Sequence, residues 1–229
     1  DDFITKPFNG TLLKARVGAS LEKKRLRDSE DNYLDRVETD KKRSQQILKT
    51  VMPTSVANEL QSSGKVRSRR YDDVAIFICD LVGFTSFCEK NNPELVVETL
   101  QGLVEKFEKA FEDFGLEKIK TVGDAIVAVA GLSSHTSSPI KSCVDCAHEI
   151  REIANSASMP WDLHLGIHSG SLVAGTIGTK TVQFDILGQT VNVAFNVCDM
   201  SESNQILISS EAWMMARNEI KVKSMGLKR

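Results

Sequence analysis

The sequence predicts an α+β domain, an α/β layer sandwich, preceded by a long charged helix. Strand-type runs and helical patterns alternate from residue 73 onward, which is typical of helices packed on one sheet. Two short strand-type runs flank Gly123 and predict a hairpin. Residues 9–51 contain no proline and only two glycines among many charged side chains, which predicts one long helix or two joined helices.

Length and composition limit the function classes. The 229 residues are 41% hydrophobic and 26% charged, which suits one core with an added segment. A net charge of -2 argues against a general nucleic-acid binder. No apolar run reaches the length of a membrane span, so we expect no membrane partner and a cytoplasmic location. Five scattered cysteines fit a reducing compartment, and Cys143 and Cys146 are interpreted as buried helix residues.

The charged helix carries apolar residues at coiled-coil spacing from about residue 26 to 50. One seam consists of Leu34, Val37, Lys41, Ser44, Leu48 and Val51. A second, slightly rotated seam consists of Leu26, Tyr33, Val37, Ser44, Ile47 and Val51. Both seams contain polar members, which favours a weakly specified parallel dimer whose registers interconvert. A single solvated helix docked on the domain is the alternative.

The remaining elements follow in order after Pro53, which ends the charged helix. They are a short amphipathic turn at 55–60, strand 73–79, helix 93–114, strands 116–122 and 125–130, helix 138–156, a hairpin of strands 161–168 and 171–177, strand 182–186, helix 189–201, strand 205–208, helix 211–217 and strand 220–224. The helix at 93–114 is the best marked, with Asn92 as N-cap, Pro93 at its first position and Gly115 as C-cap.

Two aspartates stand where apolar strands stop. Asp80 follows the run 74–79 just before Gly83, and Asp124 follows Gly123 at the hairpin turn. Mg²⁺ is bound through one or two carboxylates together with substrate phosphates, and paired ions stabilise both oxygens of an in-line phosphoryl displacement. The two acids therefore indicate a metal site for phosphoryl transfer, while taken singly each could be an ordinary turn or cap residue.

Five segments in order resemble the class III nucleotidyl cyclases over about residues 47–227. They are 47–60 (ILKTVMPTSVANEL), 77–85 (FICDLVGFT), 119–125 (IKTVGDA), 166–178 (GIHSGSLVAGTIG) and 184–194 (FDILGQTVNVA). The resemblance implies a ferredoxin-like βαββαβ core. It also implies a head-to-tail homodimer with two active sites, each shared between the subunits.

The resemblance assigns the metal and phosphate ligands to one subunit. Asp80, Asp124 and the carbonyl of Leu81 would hold two Mg²⁺ or Mn²⁺ ions per site. The triphosphate would lie on backbone N-H groups of Val82, Gly83, Phe84 and Thr85. The implied reaction is attack of a ribose 3′-hydroxyl on the α-phosphate, which gives a 3′,5′-cyclic nucleotide and pyrophosphate.

The other subunit would recognise the base and the ribose. Lys120 would donate to adenine N1 and Asp185 would accept from N6, so ATP is the expected substrate. Asn192 matches the family's asparagine that contacts the ribose or orients the transition state. Asn196 stands where the family has an arginine that neutralises the α-phosphate. We therefore expect an adenylate cyclase of weakened turnover, with a catalytically impaired ATP-binding dimerisation and signalling module as the alternative. The hairpin lacks the Gly-Gly-Asp/Glu-Glu-Phe turn of diguanylate cyclases.

The N-terminus has a resemblance of its own. Residues 1–8 (DDFITKPF) resemble the last strand and the Lys-Pro turn of a response-regulator receiver domain, with Lys6 and Pro7 at that turn. This implies a receiver remnant at 1–25, a signalling coiled coil at 26–50 and a catalytic domain at 51–229. An upstream receiver and its histidine kinase are then expected partners. The family's lysine for the terminal phosphates has no match before Arg229, which predicts a truncated C-terminus.

Overall fold

The structure is a computed structural model that describes residues 10–132, 137–179 and 182–226. The chain divides between Val51 and Met52 into two compact units. The receiver resemblance at 1–8, with Lys6 and Pro7, lies outside the described residues, so it stays a prediction. Within the described residues, no helix combines the length and the apolar character needed to cross a bilayer.

In the described part of the first unit, helix α1 (Gly10–Val51) is uninterrupted over 42 residues. None of its residues is buried. Members of both predicted seams are open to solvent, with Tyr33 67% and Leu34 57% exposed. Because helical stability in proteins comes mainly from packing of an apolar face, a helix this exposed is expected to have a partner. The coiled coil itself stays a prediction.

The second unit alternates strands and helices. Its elements are α2 (Thr54–Ser63), β1 (Arg69–Leu81), α3 (Phe84–Lys90), α4 (Pro93–Phe114), β2 (Leu116–Val122), β3 (Ala125–Ala130), α5 (Pro139–Asn155), β4 (Leu163–Ile177), β5 (Gln183–Leu187), α6 (Gln189–Asp199), β6 (Gln205–Ile208) and α7 (Ser210–Ala216). The sheet order is β2-β3-β1-β4-β5, with β6 beside β4. Every pairing is antiparallel except that of β4 with β6. The succession β1-α4-β2-β3-α5-β4 confirms the predicted α+β fold.

The two faces of the sheet pack against different helices. Phe77 and Cys79 of β1 belong to the core cluster that includes Phe107 of α4 and Cys146 of α5. Because side chains alternate along a strand, Asp80 points to the other face. Cys143 and Cys146 are buried as predicted, and burial raises the pKa of Cys146 to about 12.

The second face is covered by α6 at very short range. Gly166 of β4 lies opposite Ile78 of β1, and a Cβ at Gly166 would fall 2.4 Å from the backbone nitrogen of Cys198. Only glycine allows the backbone of α6 to approach the strand this closely. The helix that carries Asn192 and Asn196 is thereby fixed on the same face of the sheet as Asp80.

The hairpin predicted at 161–168 and 171–177 is wrong, because β4 runs through both segments as one strand. The Ser-Gly-Ser sequence at 169–171 looks like a turn, but Ser169 Oγ donates to the carbonyl of Val74 across the ladder, 2.9 Å away. A Cβ at Gly170 would lie 2.9 Å from Oγ1 of Thr190, so this glycine serves close packing. Residues in the middle of the predicted turn therefore belong to the strand.

Smaller differences occur at other element ends. The strand predicted at 220–224 is absent, and residues 220–226 have no regular structure. The turn predicted at 55–60 is the helix α2, and β1 begins at Arg69 instead of residue 73. Asp80 lies inside β1 rather than after it.

Candidate active site

The two predicted metal ligands come from neighbouring strands of the sheet. Asp80 is the penultimate residue of β1, and Asp124 lies in the turn between β2 and β3, where Gly123 has a φ of 65°. The pairing of Cys79 with Ile126 brings these two strand ends together. Both aspartates are half-buried, so each carboxylate keeps access to solvent. The structure thus brings the two predicted acids to the same end of neighbouring strands.

Asp80 lies in an environment that opposes its negative charge. Burial raises the pKa of Asp80, and the negative charges of Asp124 and Asp199 raise it further, whereas His164 lowers it. Two nearby carboxylates favour binding of a cation, since a cation removes their mutual repulsion. Hard carboxylate oxygens are the donors that Mg²⁺ and Mn²⁺ prefer. The donor set therefore fits a divalent ion.

This donor set is incomplete by itself. Among the described residues, no group of three or more His, Cys, Asp or Glu side chains is arranged to hold a metal ion. Mg²⁺ commonly fills its remaining positions with water and substrate phosphates. Asp80 and Asp124 therefore suit an ion that completes its coordination with water or phosphate oxygens.

The turn after β1 carries the predicted phosphate ligands. Gly83 has a φ of 77°, and α3 begins at Phe84, so the N-H groups of Phe84 and Thr85 belong to the first helical turn. The N-H of Val82 differs from the expectation, because it donates to the carbonyl of Asp162 at 2.9 Å. The N-H groups available to phosphates thus begin at Gly83.

Lys120 and Asp185 form an ion pair within one chain. Lys120 Nζ lies 2.7 Å from Oδ1 and 2.8 Å from Oδ2 of Asp185. Their side chains are 24% and 19% exposed, so both can be reached from solvent. The strands that carry them, β2 and β5, stand at opposite ends of the strand order, so the sheet must curl for this pair to form. The N-H of Ile186 also donates to Asp185 Oδ1.

The predicted ribose and transition-state residues lie on α6. Asn192 and Asn196 are exposed and four residues apart, so they lie on the same side of this helix. The buried residues Val191, Ala194 and Cys198 hold the opposite side on the sheet. Neither asparagine brings a positive charge to this surface.

Sequence reasoning missed the residues that fix the turn after β1. Asp162 binds the N-H of Val82, and its carboxylate is bound by Ser203 and Asn204. The one local signal was Asn204, because an asparagine between a helix and a strand favours a left-handed turn. The long-range bonds of Asp162 leave no pattern in the sequence.

Comparison with known proteins decides the family. Residues 66–227 match the family described as "Adenylate and Guanylate cyclase catalytic domain". The chain belongs to this family. It is 30% identical to the soluble guanylate cyclase gcy-31 of Caenorhabditis elegans over 99% of its length, and it spans 34% of that relative. The fold is therefore that of a nucleotidyl cyclase catalytic domain.

Solved structures share the fold. The catalytic core of a rhodopsin-guanylyl cyclase with converted specificity, in complex with ATPαS, matches with a TM-score of 0.66 and 24% identity over 71% of this chain and 92% of that one. The adenylyl cyclase CyaB of P. aeruginosa matches with a TM-score of 0.61 and 22% identity over the same shares. Cyclases named for either nucleotide therefore have this fold, so the fold leaves the base open.

Proposed function

We propose that this chain is an adenylate cyclase that converts ATP to 3′,5′-cyclic AMP and pyrophosphate. The observation that carries the proposal is the Lys120–Asp185 pair, which presents one donor and one acceptor 2.7 Å apart on accessible side chains. Adenine offers the complementary edge, since N1 accepts and the N6 amino group donates. Guanine offers the reverse, a donor at N1 and an acceptor at O6.

Mispairing at this edge opposes GTP. A site built to hydrogen-bond one substrate discriminates strongly against an analogue that leaves its polar groups unpaired. The relatives that match include several guanylate cyclases. Their names do not determine the base here, because two side chains suffice to set the hydrogen-bond polarity of the pocket. The proposal therefore follows the residues of this chain.

Asp80, Asp124 and the carbonyl of Leu81 are the proposed ligands of two Mg²⁺ or Mn²⁺ ions. Such ions would supply positive charge to the reacting oxygens and phosphates. The residues of the chain itself would orient the nucleotide, with N-H groups from Gly83 onward facing the phosphates and Asn192 facing the ribose.

The proposed active unit is a homodimer with two shared sites. One subunit would supply Asp80 and Asp124, and the other would supply Lys120, Asp185 and Asn192. Exposure of the Lys120–Asp185 pair in the single chain supports this arrangement, because the pair is open to a partner or a ligand.

Asn196 should limit turnover. An amide provides a neutral hydrogen bond where the family's arginine provides a charged, bidentate group. Loss of a comparable electrostatic donor reduces the rate about 10²- to 10³-fold. The same residue supports a second candidate function, an ATP-binding dimerisation module with little or no catalysis.

The deciding experiment measures cyclic AMP and cyclic GMP production from Mn²⁺-ATP and Mn²⁺-GTP by the chain and by its Asn196→Arg variant. We expect weak cyclic AMP formation that rises about 10²-fold or more with the arginine. Asn155→Arg is the control, because Asn155 is also an exposed helical asparagine. Equal and measurable rates in the chain and the Asn196→Arg variant would refute the assigned role of Asn196. Inactivity of both would favour the binding module.

A complementation experiment tests the shared site. Two mixtures of chains are compared. The first combines Asp80→Asn with Asn196→Arg,Asp124→Asn, and no subunit in it has both acids. The second combines wild type with Asn196→Arg,Asp80→Asn, and its heterodimer can form one site with both acids and the arginine. We expect activity above wild type in the second mixture only. Activity in the second mixture that does not exceed that of its wild-type chain alone would contradict sharing between subunits.

Upstream control is also part of the proposal. We infer that α1 pairs with α1 of the second subunit and carries a signal from a receiver domain, which a histidine kinase phosphorylates. The exposure of both seams supports pairing, and the polar residues within them support exchange between two registers. A change in register would alter how the two catalytic domains meet.

A further inference from the structure

A hydrogen-bond network joins the turn after β1 to the turn between α6 and β6. Val82 N-H donates to the carbonyl of Asp162 at 2.9 Å. The carboxylate of the same aspartate accepts from Ser203 Oγ at one oxygen and from Asn204 Nδ2 at the other. Asp162 is therefore bound on both sides, by its main chain to one turn and by its side chain to the other.

Asn204 holds the second turn in an unusual conformation. Its φ of 60° lies in the left-handed region. Among the described residues, Asn204 is the only non-glycine residue with a positive φ. Its N-H donates to the carbonyl of Leu163 at 2.8 Å, and its Oδ1 accepts from Leu163 N-H at 3.1 Å. Arg151 Nη1 donates to its carbonyl at 3.3 Å. Such backbone strain persists where the surrounding contacts determine the conformation fully.

The segment Trp161 to Leu163 also supports the turn by packing. The Trp161 ring is 7% exposed and lies edge-on to Phe87, with ring centroids 5.0 Å apart, and 6.1 Å from Phe84. Leu163 is the register partner of Leu81 across the β1–β4 ladder. Three consecutive residues thus contact the turn through a side chain, a carbonyl and strand pairing.

We propose that Asp162 and Asn204 are positioning residues for the turn after β1. The inference rests on the proposed function, in which Asp80 and the Leu81 carbonyl bind metal ions. The turn contains Gly83, whose backbone has more freedom to lose than that of any other residue. The hydrogen bond from Val82 N-H to the Asp162 carbonyl restricts the backbone of this turn at the residue that follows Leu81. Asn204 in turn holds Asp162 in place through its carboxylate.

The experiment compares Asp162→Ala with Asp113→Ala, a control at an exposed aspartate of α4. Two quantities are measured on the full chain: deuterium uptake of the peptide covering residues 80–87, and Mn²⁺ affinity by electron paramagnetic resonance with inorganic tripolyphosphate present. We expect faster uptake in that peptide alone and about tenfold weaker Mn²⁺ binding, the lower end for residues that orient metal ligands. Asn204→Gly, which tolerates the positive φ, should have the same effects.

Unchanged uptake, or faster uptake spread over the whole domain, would overturn the proposal. Faster local uptake with unchanged Mn²⁺ affinity would also overturn it, since the turn would then move without affecting the metal. If the wild-type chain binds no Mn²⁺, the proposed function fails instead, and the uptake data still report on the hydrogen-bond network.

Discussion

The hydrogen-bond polarity of Lys120 and Asp185 should decide between ATP and GTP. In the variant Lys120→Glu,Asp185→Asn, a carboxylate replaces the donor and an amide replaces the acceptor. The carboxylate can accept from guanine N1-H, and the amide can donate to O6. We therefore expect the substrate preference to invert. Lys120→Glu alone should leave one matched and one mismatched contact for either base. Asp185→Asn alone should only weaken the discrimination, because an amide can accept from adenine N6 as well as donate to guanine O6.

The size of the effect follows from the exposure of the pair. A buried polar group left without a partner costs about 1–3 kcal/mol, so two mismatches cost about 2–6 kcal/mol. The side chains are 24% and 19% exposed, so water relieves part of this cost. A value of about 3 kcal/mol corresponds to about a hundredfold in kcat/KM. In the double variant ATP has one mismatched contact, at the introduced carboxylate, because the amide at position 185 can accept from N6, so the penalty is about 1.5 kcal/mol, or about tenfold. The ATP-to-GTP ratio of kcat/KM should therefore fall from about 100 to about 0.1.

The assay is the initial rate of cyclic AMP and cyclic GMP formation over a range of Mn²⁺-nucleotide concentrations. Lys118→Glu is the matched control, because Lys118 lies on the same strand but pairs with Glu108, 2.6 Å away. It should leave the ratio unchanged. A wild-type preference for GTP, or a double variant with the wild-type ratio, would refute the assignment of the base pocket.

Two further predictions concern Asp80 and α1. Burial and the charge of Asp124 raise the pKa of Asp80, so its ionisation destabilises the fold as pH rises through the folded-state pKa. Asp80→Asn should therefore raise the melting temperature of the metal-free protein at neutral pH but not below about pH 3, where the carboxyl is protonated in both states. The same variant should lose the stabilisation by Mn²⁺ that thermal shift assays measure. In a Cys88→Ser background, which removes the exposed cysteine, Tyr33→Cys and Leu34→Cys should each give disulfide-linked dimers on non-reducing gels if both seams form. Crosslinking of only one variant would indicate a single register. If neither variant crosslinks, α1 would be a solitary helix.

Local signals predicted the elements that have local causes. Asn92, Pro93 and Gly115 mark both ends of α4, and the structure begins and ends the helix at the residues they indicate. Gly123 marks the β2–β3 turn because its positive φ is a property of the turn itself. Caps and tight turns depend on residues adjacent in sequence, so a single sequence contains enough information to place them.

The errors arose where distant contacts decide the structure. Gly170 was interpreted as part of a turn, yet its small size serves the approach of Thr190 from α6. Lys120 and Asp185 are 65 residues apart, and only the curl of the sheet brings them together. The resemblance to known cyclases named this pair, whereas no spacing in the sequence could have done so. The bonds of Asp162 to both turns escaped prediction for the same reason.

The composition of the proposed site explains why Asn196 matters more than an ordinary surface substitution. Each chain carries both the paired acids and the Lys120–Asp185 pair, so two copies would supply all the residues of two proposed sites. In a homodimer, however, each site would also receive Asn196 from a subunit, and no second copy can restore the missing positive charge. Natural turnover would then be limited to what the metal ions and neutral donors provide, unless a chain with arginine at this position replaces one subunit. In the proposed site, the metal acids would thus account for nucleotide binding, and the charge at α6 would determine how fast the bound nucleotide reacts.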